Sequence, residues 1–152
     1  MQLPVDFVQS IQTLLGKESE NLLSSIGEET SVSIRLNPFK MQRNSKEFSF
    51  PAEQVSWSQQ GFYLNERPAF TFDPLFHSGY YYVQEASSMF IEYVTRKLVQ
   101  EPVNCLDLCA APGGKSVSLL SALPEGSFLV SNEIIRSRAN ILSENIIKFG
   151  SP

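Results

Sequence analysis

The chain has 152 residues, 42% hydrophobic and 18% charged, with 8 Gly and 9 Pro, a composition that excludes a fibre or a disordered tail and leaves material for one core or two small ones. Its 12 basic and 16 acidic residues give a net charge of -4, the wrong sign for holding nucleic acid by bulk charge, so any such binding must be local. No apolar run reaches the roughly 18 residues of a membrane span, no secretion signal opens the chain, and Cys105 and Cys109 are too few and too close for a disulfide scaffold, which points to the reducing cytoplasm.

Residues 4 to 26 predict two short helices. Pro4 suits a first helical turn, Val5, Val8, Ile11, Leu14 and Leu15 recur at helical spacing, Gly16 interrupts, and Leu22, Leu23 and Ile26 resume the pattern until Gly27. Ser31 to Leu36 alternates, with Val32, Ile34 and Leu36 on one face, and runs into the turn at Asn37-Pro38 as a strand would. A second, weaker strand is expected around Lys46 to Phe50. The stretch Arg35 to Lys46 holds four basic residues, Arg35, Lys40, Arg43 and Lys46, and no acidic one. It is either a local phosphate-contacting patch or a solvated polar loop, and by itself the stretch favours the loop.

Between Val55 and Val83 aromatic residues crowd among turn formers with no sustained period. They could stack on nucleic acid, but an irregular connector packing its rings against its neighbours is the stronger expectation. Glu85 to Val99 then reads as a helix whose apolar stripe, Ala86, Met89, Phe90, Tyr93 and Val94, faces the core. Val103 to Leu108 suits a buried parallel strand, Gly114 to Leu123 a helix, Ser127 to Ser131 a second strand, and Ile135, Ala139, Leu142, Ile146 and Phe149 one face of a last helix. The fold class is therefore α/β: a small α+β module over residues 1–75, followed by the β-α-β-α opening of a Rossmann-like sheet over 76–152.

Chemistry concentrates in Cys105 to Ser116, CLDLCAAPGGKS. A strand ends, small residues follow, Pro112-Gly113-Gly114 turns the chain and a helix begins, which brings backbone N–H groups up to an anionic ligand group. A P-loop would need glycine where Cys109 stands, and the Gly-x-Gly-x-x-Gly dinucleotide spacing does not occur. What remains is the use of this topology for S-adenosylmethionine, with an acid after the second strand taking the ribose hydroxyls. Glu133 stands 19 positions after Gly114, close to the roughly 20-residue step of such an acid. Cys105, Cys109 and the distant His77 offer three ligands at most in no zinc-like spacing, so no metal site is expected.

CLDLCAAPGGKS closely resembles the first motif of the Nop/Sun-type RNA cytosine-5 methyltransferases, Asp-x-Cys-Ala-Ala-Pro-Gly-Gly-Lys followed by Ser or Thr. SGYYYVQEASSM at 78–89 resembles the run before that motif, SIRLNP at 33–38 the Arg-x-Asn element of the N-terminal domain, and Asn132, Glu133, Arg138 and Asn145 the second motif; the general look is of the RsmF-like ribosomal RNA branch. The resemblance implies that Cys109, Ala110, Ala111, Pro112, Gly113, Gly114 and Lys115 line an S-adenosylmethionine site, with Lys115 near the carboxylate, Glu133 on the ribose and Arg138 framing the pocket. Asp107 would hold the loop and meet the cofactor's amino end, or would bond only nearby backbone N–H groups.

In that family a cysteine thiolate attacks cytosine C6 and a second cysteine assists release. Both belong to later motifs, so the nucleophile is expected beyond Pro152, and neither Cys105 nor Cys109 is assigned that role. Two strands of a seven-stranded sheet imply the N-terminal fragment of a larger enzyme, inactive alone, and the exposed sheet edge implies a chain that is marginally stable by itself, associates with another copy through that edge, or is cut from a longer protein. The expected partner is ribosomal RNA, with no membrane and no metal. The rival reading is a non-catalytic RNA-binding or interaction module resting on Arg35, Lys40, Arg43 and Lys46 and the aromatic stretch.

Overall fold

A computed structural model describes residues 3–28, 30–41 and 52–150. They divide after Ser31 into two compact units. In the first, α1 (Val5–Leu15) starts behind Pro4, whose carbonyl accepts from Val8 N–H at 3.1 Å. It stops at Gly16, where φ is 54°, a value that glycine adopts without a Cβ clash. One 3-10 turn leads into α2 (Ser19–Ser25), so the two short helices expected from the sequence are present.

The second unit opens with an antiparallel sheet. Its strands β1 (Val32–Leu36), β2 (Ala52–Gln54), β3 (Gly61–Leu64) and β4 (Tyr81–Val83) lie in the order β2-β3-β1-β4, with Ile34 opposite both Phe62 and Val83. The weak strand expected at 46–50 lies outside the described residues. The irregular connector expected over 55–83 is corrected, because β3 and β4 both fall inside it. Each is only three or four residues long and partly or wholly buried, so neither carries the alternation by which a half-buried strand is recognised.

β1 is central and covered on both faces. Ile34 and Leu36 pack with Phe62, Leu64, Phe70 and Tyr81, and Phe76 of the short helix α3 (Pro74–His77) joins the same ring cluster. Most of the crowded aromatics thus pack together, as expected, although Phe72 is largely exposed. The opposite face carries Ser33 and Arg35, which lie buried beneath the helices that follow.

The helix α4 (Ala86–Leu98) forms where expected, but its stripe is corrected. Its buried positions are Ala86, Met89, Glu92 and Thr95, whereas Phe90 and Tyr93 stack on each other at 5.6 Å and remain more than 40% exposed. The physical reason lies beneath it: Met89 fills the space a side chain at Gly61 would need, and Glu92 is drawn to Arg35. Then β5 (Asn104–Asp107), α5 (Gly114–Ala122), β6 (Phe128–Ser131) and α6 (Arg136–Phe149) complete the described chain, with β5 and β6 parallel and Asp107 opposite Ser131. The expected burial of β5 is corrected too. Leu106 and its partner Val130 are 57% and 44% exposed, because the described residues put helices on only one face of this pair, and Cys105 is half-buried where a core position was expected. No helix of the described residues is long and apolar enough to cross a membrane.

Candidate cofactor site

Between β5 and α5 the chain turns within six residues, and several of the carbonyls in the turn accept from the elements around it. The Ala110 N–H donates to Asn132 O at 2.9 Å, and Asn132 N–H to Asp107 O at 2.8 Å, so the ends of the two parallel strands are stitched together. The Asn132 side chain donates to Leu108 O at 3.0 Å. Ala111-Pro112 is a cis peptide, and Gly113 caps α5 with φ 115°, a conformation that side-chain-bearing residues avoid. A Cβ at Gly113 would lie 3.3 Å from Leu142 Cδ1, and one at Gly114 would lie 3.2 Å from the Tyr82 ring. The positive φ favours glycine at 113, while at 114 a side chain would press the Tyr82 ring by a few tenths of an ångström.

The loop borders a cleft of about 190 Å³ whose walls include Cys109, Ala111, Lys115, Tyr82, Gln84 and Ser88. Cys109 and Lys115 are exposed, and Ala110 and Ala111 are buried behind them. Asp107 neither bonds only to backbone nor is it free: its Oδ2 accepts from Ser116 Oγ at 2.7 Å, and Ser131 Oγ donates to Ser116 Oγ at 3.1 Å. The carboxylate thus holds the first turn of α5 against both strands.

Glu133 stands two positions after the end of β6. Its Oε1 accepts from Ile135 N–H at 3.0 Å and its Oε2 lies 3.6 Å from Arg138 Nη1, while Arg138 Nη2 donates to Ala111 O at 2.9 Å. Arg138 therefore bridges the acid to the loop, although half of its side chain stays exposed. Asn145 Nδ2 donates to Pro112 O at 2.7 Å, so α6 grips two successive loop carbonyls.

Sequence reasoning did not single out Gln84, whose Nε2 donates to Gly114 O at 3.1 Å, or Tyr82, which lines the same cleft. Their signal was the run SGYYYVQEASSM, which marked the segment but not which side chain faces the loop. Burial raises the Tyr82 pKa above its ordinary value.

The basic stretch fares differently. Arg35 is corrected as a nucleic-acid contact: its side chain is 0% exposed, with Nε 3.0 Å from Glu92 Oε2 and Nη2 donating to Ser121 Oγ. Desolvation lowers its pKa, opposed by the Glu92 charge. Lys40 is exposed, yet its ammonium donates to Ser78 O at 2.9 Å and to Lys148 O. Arg43 and Lys46 lie outside the described residues. Among the described residues no three His, Cys, Asp or Glu side chains are grouped to hold a metal ion.

A small antiparallel module followed by strand, glycine loop, helix and parallel strand, with an acid after it, is the start of a Rossmann-like domain. Its fold matches that of a methyltransferase homologue from Pyrococcus horikoshii, at TM-score 0.82 and 22% identity over 99% of this chain and 50% of that one. It also matches NSun6 from the same organism, solved with SFG, at TM-score 0.78 and 15% identity over 97% of this chain and 63% of that one. Residues 3–86 match the family described as the N-terminal domain of 16S rRNA methyltransferase RsmF, and the chain belongs to that family. It is 29% identical over 161 residues to the ribosomal RNA small subunit methyltransferase F of Pectobacterium atrosepticum, and 29% identical over 160 residues to that of Vibrio parahaemolyticus. Each alignment covers 97% of this chain and 33% of the relative, so the chain spans about a third of the length of these proteins.

Proposed function

We propose that this chain carries the N-terminal domain and the methyl-donor loop of an S-adenosylmethionine-dependent RNA cytosine-5 methyltransferase acting on ribosomal RNA in the cytoplasm. In this reading residues 1–75 position RNA and residues 76–152 begin the cofactor domain. The observation that carries it is the loop Cys109–Ala110–Ala111–Pro112 with Gly114 and Lys115 lining one cleft, while Glu133, outside that lining, is tied to the loop through Arg138 and Ala111 O.

The donor set fits the group. The Lys115 ammonium suits a carboxylate, the N-terminus of the nine-residue α5 adds N–H donors of the same sign, and the Glu133 carboxylate accepts from vicinal hydroxyls. S-Adenosylmethionine, when bound, supplies an electrophilic methyl group. The chain's own part is binding and orientation: Asp107, Asn132, Arg138 and Asn145 hold the loop, and Cys109 to Lys115 line the site. Cys105 sits in β5 and Cys109 in the loop, so neither acts as the nucleophile, and the chain by itself is inactive. A free-standing RNA-binding module is disfavoured, because Arg35 is buried and the Lys40 ammonium is engaged by carbonyls.

Calorimetric titration with S-adenosylmethionine, with ATP as the control, tests this reading. Binding of the methyl donor alone is expected, weakened at least about tenfold by Glu133→Gln, the scale of a lost charge-assisted hydrogen bond. Gly113→Ala should abolish it. A folded chain that ignores the methyl donor, or binds ATP as well, overturns the reading.

A further inference from the structure

The loop carbonyls face where α6 puts them: Asn145 holds Pro112 O, Arg138 holds Ala111 O, and Leu142 with Ile146 packs on Ala110 and Ala111. What places α6 is a separate question, since a cavity of about 170 Å³ bordered by Tyr82, Val83, Asn145 and Lys148 lies between it and the sheet. Packing alone does not fill that gap. At the C-terminal end of α6 the last carbonyls lack helical partners, and two side chains just after β1 supply them. Asn37 Nδ2 donates to Phe149 O at 2.7 Å and to Gly79 O at 2.8 Å, and Lys40 Nζ donates to Lys148 O and Ser78 O. The Lys40 charge also complements the negative end of the helix dipole. Gly79, at φ 71°, completes the joint, because any side chain there would strike the Lys148 carbonyl.

We propose that Asn37 and Lys40 are positioning residues of the loop at 110–114: they clamp the end of α6 to the lead-in of β4, and α6 in turn sets the loop. The role in ligand binding rests on the reading of that loop as the S-adenosylmethionine site. Neither residue borders the cleft, so both act through the helix. The Arg-x-Asn element thereby acquires a division of labour, Arg35 anchoring α4 and α5 and Asn37 anchoring α6.

The test uses the whole chain. Asn37→Asp keeps the side-chain size and loses both N–H donations, Lys40→Met removes the exposed half of the clamp where Asn37→Asp proves too damaging, and Val55→Ala loosens the core cluster of Val55, Ala86 and Met89 as a control. Amide hydrogen exchange should quicken about tenfold over residues 110–117 and 145–150 in the clamp variants, as for local opening after loss of a hydrogen bond. Affinity for S-adenosylmethionine should fall by a similar factor, and Val55→Ala should change neither. Unchanged loop exchange in both clamp variants, or an equal rise in Val55→Ala, overturns the proposal. A wild-type chain that binds no S-adenosylmethionine counts against the cofactor reading alone, because the exchange comparison judges the clamp without any ligand.

Discussion

At Arg35 a guanidinium sits in the middle strand of a sheet with no access to water, and one carboxylate makes that tolerable. Glu92 is 2% exposed and accepts from Arg35 Nε through one oxygen and from Arg96 through the other, at 3.2 Å. Removing the acid strands the buried charge. Glu92→Ala is therefore expected to cost about 3 kcal/mol or more of stability, measured by urea unfolding, with Arg35→Met in the same chain recovering much of the loss. A loss under about 1 kcal/mol would instead match a solvent-exposed pair. Tyrosines 81 and 82 carry a second residue-level consequence. Burial raises both pKa values, and the bond from Tyr81 to Asp73 Oδ2 at 2.6 Å adds to the first. Because the folded values lie above the unfolded one, this stabilisation is complete below the ordinary tyrosine range and is lost as pH rises through the folded values. Unfolding free energy should thus decline above pH about 10, and Tyr82→Phe should flatten that decline in denaturant titrations at stepped pH.

Among the elements, α4 separates what spacing suggests from what burial decides. Its hydrophobic stripe includes Phe90 and Tyr93, yet the face on the sheet is Ala86, Met89, Glu92 and Thr95. Met89→Ala should cost about 2–4 kcal/mol by the loss of a fully buried side chain. Phe90→Ala and Tyr93→Ala should each cost less than about 1 kcal/mol in this chain, as surface changes do. Thermal or urea melts of the three variants give the order directly, and the reverse order would restore the stripe as the buried face.

For the molecule as a whole, the feature that stands out is the apolar face of the β5–β6 pair, where Leu106, Phe128 and Val130 are all more than 40% exposed. Among the described residues this parallel pair has no further strand beside it and one largely exposed apolar face, an arrangement that invites further association. Sedimentation of the chain should accordingly show mass rising with concentration, and Leu106→Lys should suppress the rise. A concentration-independent monomer with a high, cooperative melting transition would remove this expectation.

Legibility followed the range of the forces involved. Helices α1, α2, α5 and α6, strand β1 and the β5–β6 pair could be read because a face or a turn residue marks each one locally, and the glycine loop could be read because close approach admits few residue types. Strands β3 and β4 could not, being short and largely apolar without alternation. The same holds for the fate of charge. Nothing local distinguishes Arg35 from a surface cation; only the tertiary structure sets Glu92 against it, just as it brings Asn37 and Lys40 from the end of β1 to the end of α6. The sequence by itself determined the order of elements and the chemistry of the loop, through spacing and backbone constraint. Which polar side chains are buried, and what they hold, was decided by contacts between residues tens of positions apart, because the cost of burying charge is settled only by the partner that meets it.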